Sequence, residues 1–178
     1  MGNKNQHIID TTKRWVQRFI IGIDICPFAQ YIPEDKIKYS VDQSTELAHI
    51  FNNIQQEWQY LISHQDIETT LVIYPNASTD FLNFLDDYYA CEQRLEDLNL
   101  DSIFQLVAFH PLFLFNESTP DDSANFTNRS PFPMIHILRS DSVTKAVDNH
   151  PDIESIPLKN MEKLRKEGAE YWMRFIDI

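Results

Sequence analysis

Two histidines, two arginines and three asparagines gather in one stretch of this sequence, from Gln105 to Arg139. His110 and His136 are candidate catalytic residues, because imidazole titrates nearest neutral pH and can move protons or bind a metal. Arg129 and Arg139 offer planar guanidinium forks for a carboxylate or phosphate. Asn125 and Asn128 can contact a ligand or order a turn through side-chain to backbone bonds. A further candidate lies far upstream, Cys26 in Ile25-Cys26-Pro27-Phe28, where Pro27 suits the first position of a helical turn. A thiol at the cap of such a turn would be stabilised as a thiolate by backbone N–H groups, which makes Cys26 a candidate nucleophile or redox thiol.

Each of these residues also has a purely structural explanation. Cys26 can be a small buried hydrophobe beside Phe28. His110 can cap a loop before Pro111, and His136 can be a satisfied core histidine within Met-Ile-His-Ile-Leu. Arg129 can bridge Asp121 or Asp122 and fasten the loop, and Arg139 shares that ambiguity. Cys91 reads as core among Tyr88, Tyr89 and Leu95, while Glu46 and Glu57 read as exposed carboxylates. Three readings of function follow. The leading one is an enzyme acting on a small anionic metabolite, with the arginines holding the anion, the histidines handling protons and Cys26 as nucleophile. The second is a zinc or iron ion held by Cys26, His110 and His136. The third is a non-catalytic binding or structural domain in which the loop is a clasp.

The elements that must position these groups follow from periodicity. Apolar residues from Ile8 to Ile23 fall at helical spacing, with Gly22 closing the helix. Strands are expected at Ile37 to Val41, Thr69 to Tyr74, Ile103 to Phe109 and Met134 to Leu138. Between them lie a helix through Leu47, Ile50, Ile54, Trp58 and Leu61, capped by Ser44, and another through Phe81, Phe84, Leu85, Tyr88 and Leu95, capped by Ser78 or Thr79. A short helix after Ser140 or Ser142 ends at Pro151, and a last helix after Pro157 buries Met161, Leu164, Gly168, Tyr171, Trp172 and Phe175. This order predicts a single α/β (α+β) domain over residues 1–178, with helices packed on a mixed sheet of about four strands. The first three strands would run parallel and the fourth antiparallel, bringing His110 and His136 to one end of the sheet.

Composition narrows the functional classes. Fifteen basic residues against 27 acidic ones give a net charge of −12, which repels a phosphate backbone, so no nucleic-acid partner is expected. No apolar run approaches bilayer length and no secretory signal is recognisable, so the expectation is a soluble, cytoplasmic protein with free thiols and no membrane partner. Walker, dinucleotide, nucleophile-elbow, zincin and Cys-X-X-Cys motifs are absent from the sequence.

The chain resembles the bacterial family catalogued as domain of unknown function 1415. The resemblance rests on Ile25-Cys26-Pro27-Phe28-Ala29, on Thr69 through Pro75 with Asp80-Phe81, and on Phe109-His110-Pro111. It continues through Asn125 to Pro133, His136-Ile137-Leu138-Arg139, and Ile156-Pro157 with Asn160. Where the family pattern has Leu-Arg-Glu, this chain has Leu138-Arg139-Ser140, with Asp141 next. The resemblance implies no activity and no cofactor, but it sets motif-like blocks on Cys26, His110, Asn128, Arg129 and His136.

Overall fold

The computed structural model describes residues 2–150 and 152–176. Helix α1 (Gly2–Trp15) continues into a π turn (Val16–Ile21), a widening of the ladder that often accompanies a functional site. Gly22 closes this element for a steric reason, since a Cβ there would stand 2.4 Å from the Arg18 carbonyl oxygen. Then come β1 (Ile37–Val41), α2 (Leu47–Ser63), β2 (Thr69–Ile73), α3 (Phe81–Asp97) and β3 (Phe104–Phe109). A loop containing a short 3-10 helix (Ser123–Thr127) leads to β4 (Met134–Arg139), α4 (Ser140–Asp148), α5 (Ile156–Glu167) and α6 (Ala169–Met173).

The strands form one mixed sheet in the order β1-β2-β4-β3. β1 and β2 are parallel, and β4 runs antiparallel to both β2 and β3, so the first three strands point one way as the sequence order predicts. β2 is buried along its whole length, which explains why Thr69 to Ile73 is a continuous β-branched and apolar run rather than an alternation. On one face, Val72, Leu106, Ala108, Ile135 and Ile137 pack under Ile54, Trp58 and Leu61 of α2 and Phe84, Tyr88 and Cys91 of α3. On the other, Leu71, Ile73 and Met134 pack under Trp15, Phe19 and Ile20, with Leu164 of α5 and Trp172 of α6. The result is a single α+β domain of helix, sheet and helix layers. No helix among the described residues is long and apolar enough to cross a membrane.

Several local expectations are corrected by tertiary packing. Ser44 does not cap α2; Glu46 holds that position without a side-chain bond, and the Ser44 N–H donates to Asp42 at 2.8 Å. Asp80 itself caps α3, accepting from the Leu82 and Asn83 N–H groups. Glu57 is buried, with its carboxylate 2.7 Å from Lys38 Nζ; its place three residues after Ile54 sets it within the apolar stripe of α2. The last helix is two helices, broken at Gly168, where φ is +79° and only glycine is unstrained. Leu164 and Trp172 of the expected stripe are buried, whereas Tyr171 is at the surface. Pro151 lies outside the described residues.

Candidate functional site

An apolar cavity of about 360 Å³ lies on the α1 face of the sheet, and both Cys26 and His136 border it. Its floor is the sheet, through Ile37, Leu71, Val107, Phe109 and Leu138 beside Thr69 and His136. Trp15, Val16 and Ile20 close one side, Cys26, Phe28 and Ala29 another, and Thr127 and Asn128 of the long loop reach its edge. The roof is α4, through Ser142, Val143, Ala146 and Val147.

His136 is fixed from below. Its Nε2 lies 2.7 Å from the Thr69 hydroxyl, and that hydroxyl donates to the Ile137 carbonyl at 2.5 Å. A hydroxyl has one proton to donate, so Nε2 of the neutral ring carries the hydrogen and donates to Thr69. Nδ1 is left as an acceptor with no partner among the described residues, and it is not among the sealed unpaired atoms of the interior. Protein surrounds the ring apart from the cavity, and burial pushes its pKa down to about 4. At neutral pH His136 is therefore an uncharged imidazole presenting a lone pair.

Cys26 is half-buried on a turn, with its carbonyl accepting from the Ala29 N–H at 3.2 Å. The helix expected after it is a three-residue 3-10 turn (Ala29–Tyr31) with Phe28 at the cap position, so no helix dipole acts on the thiol. α5 holds the segment instead. The Asn160 side chain donates to the Ile25 carbonyl at 2.6 Å, and Lys163 Nζ lies 2.7 Å from the Ile23 carbonyl and 3.1 Å from that of Asp24. Asp24 has φ of +56°, a conformation that needs such outside support.

His110 stands on the opposite face of the sheet. Its Nδ1 accepts from the Leu112 N–H at 3.0 Å and its Nε2 donates to the Ser78 carbonyl at 3.1 Å, with the ring beside Phe81 and Phe84 of α3. Both nitrogens are engaged, and burial lowers its pKa. The cause of the separation is the register. Phe109 pairs with Met134, so His136 shares the face of Phe109 while His110, one residue further, turns to the other. The three-ligand set Cys26, His110 and His136 is thus not assembled, and no cluster of three His, Cys, Asp or Glu side chains suited to a metal occurs among the described residues.

The remaining predicted residues divide in the same way. Arg129 is buried; Nε donates to the Phe113 carbonyl at 3.2 Å and a terminal nitrogen to that of Pro120 at 2.8 Å, with the guanidinium 4.8 Å from the Phe126 ring centroid. It binds loop carbonyls rather than Asp121 or Asp122; Asp122 instead pairs with Arg165 of α5, which lowers its pKa to about 2. Asn125 orders the same loop, accepting from the Phe115 N–H and donating to the Thr119 carbonyl. Arg139 donates to the carbonyls of Leu61, His64 and Ile67, closing the C-terminus of α2. Arg139 and Asn128 also border the cavity, Asn128 while donating to the Ala108 carbonyl.

Sequence reasoning missed Thr69, although it opens a block carrying the family resemblance. It also missed Asn160 and Lys163, although Asn160 stands in a block carrying the family resemblance. Fold and site together define an α+β domain with a thiol and a neutral imidazole on the wall of one apolar cavity. The family model described as Protein of unknown function (DUF1415) matches residues 7–174, and the chain belongs to that family. No curated protein and no solved structure matches it.

Proposed function

We propose that the protein is an enzyme acting on a small molecule held in the cavity beneath α4, with Cys26 as nucleophile and His136 as proton acceptor. The observation that carries this reading is that Cys26 and His136 line the same half-open cavity, with Nδ1 of His136 left without a partner among the described residues. As the Cys26 sulfur adds to a carbonyl carbon of the substrate, the C=O π pair moves onto the oxygen, the S–H proton passes by way of Nδ1 to that oxygen, which becomes a hydroxyl, and Asn128 is available to hydrogen-bond it. His110, Arg129, Arg139 and Asn125 support the loop and the sheet in this scheme, leaving the chemistry to the opposite face.

Alkylation of Cys26 by iodoacetamide, followed by mass spectrometry with buried Cys91 as internal control, tests the pairing. Replacing His136 with Leu is expected to slow labelling of Cys26 at least about tenfold. Equal rates in both proteins would reject the thiol and imidazole as a functional pair. A second reading, a non-catalytic carrier, is favoured by the preponderance of apolar side chains on the cavity wall. It predicts ligand binding that is indifferent to Cys26→Ala and no turnover of any bound compound.

A further inference from the structure

We infer that the cavity selects an uncharged, mostly apolar molecule carrying a hydrogen-bond donor, which His136 Nδ1 accepts. This rests on the cavity being the functional site and names the class of compound it takes. The wall is built from Trp15, Ile20, Leu71, Phe109 and Val143, which reward an apolar body and offer no solvation to an ionic one. At about 30 Å³ per water-sized group, a volume of 360 Å³ admits on the order of a dozen non-hydrogen atoms.

Charge on the wall disfavours an anion. The sole lysine or arginine among the described lining residues is Arg139, and its guanidinium is held by the Leu61, His64 and Ile67 carbonyls. The sole acidic lining residue, Glu68, adds negative charge, and Arg129 is occupied within the loop. Asn128 of the loop and Ser142 of α4 add polar groups at the cavity margin, and at the sheet floor what remains for recognition is an acceptor, because the Nε2 hydrogen of His136 is fixed on Thr69. A ligand hydroxyl, phenol or amide N–H satisfies Nδ1, whereas a ligand offering only acceptors leaves two lone pairs facing each other. α4 borders the cavity and has no buried residue of its own.

Isothermal titration of the full chain with para-ethylphenol, para-ethylanisole and para-ethylbenzoate separates donor, no donor and anion on one apolar body. The phenol is expected to bind with a Kd in roughly the micromolar to millimolar range, about tenfold or more tighter than the other two. His136→Leu should abolish the preference of phenol over anisole, and Ala146→Trp, which fills the roof, should weaken all binding while circular dichroism reports an intact fold. Benzoate binding as tightly as phenol, a preference that survives His136→Leu, or no binding of any probe to wild type would each overturn the inference. Donor-selective binding together with Cys26 labelling that ignores His136→Leu would leave the ligand class standing and remove the enzyme reading alone.

Discussion

Replacing Arg129 with Ala discriminates between an arginine that fastens the loop and one held open for an anion. In wild type the guanidinium makes charge-assisted bonds to the Phe113 and Pro120 carbonyls and lies over the Phe126 ring. Such bonds contribute roughly 1.5–3 kcal/mol each, and the ring contact about 0.5–1 kcal/mol more. Pro120 is exposed, so water replaces the lost donor there, whereas Phe113 is half-buried and its carbonyl loses more. The net loss is therefore about 2–4 kcal/mol, well below the sum of the parts. For a chain of this size that lowers Tm by roughly 5–12 °C. Thermal melts of Arg129→Ala beside wild type, with and without phosphate and small carboxylates, measure it. Wild type should gain nothing from the anions, and Arg129→Lys, which keeps the charge but not the fork, should fall between the two. A change in Tm below about 2 °C, with wild type stabilised by an anion, would refute the clasp and restore Arg129 to ligand binding.

Stability should also depend on pH through His136. Its folded pKa of about 4 lies below the unfolded value near 6.5, so the unfolded chain binds more protons between those values. Its contribution is fully present above about pH 6.5 and is lost as pH falls toward 4, a change on the order of 3 kcal/mol. Urea titrations across that range should show a shallower pH dependence for His136→Leu than for wild type; matching curves would contradict the assignment. Replacing Asn160 with Leu strands the buried Ile25 carbonyl and should cost about 1–3 kcal/mol in the same assay. It should also change the alkylation rate of Cys26, because the turn carrying the thiol loses its hold on α5. An unaltered rate would deny Asn160 that positioning role.

The sequence alone determined the layers and the direction of the chain through them. Helical and strand periods are local properties, and the four strand segments emerge within a residue of their expected limits because each is bounded by turn residues or packs as a continuous apolar run. The chemistry-bearing residues were legible too, since side-chain type needs no fold. What the tertiary structure decided is which of them meet. His110 stands just past the end of β3 while His136 lies mid-strand, paired with Val107 and Leu71, so the two do not share one end of the sheet; a strand also alternates faces at every residue, and the register across the loop 110–133 is set by packing at Phe109 and Met134. One residue of phase separates a shared pocket from opposite faces. Arg129 and Arg139 likewise read in sequence as anion binders or as partners of loop carboxylates, because the carbonyls they bind belong to backbone that becomes neighbouring only on folding. The placing of Cys26 and His136 on one cavity is decided the same way, by α5 reaching back to hold the turn at Ile23 to Ile25. That contact spans most of the chain, and local periodicity carries no signal of it.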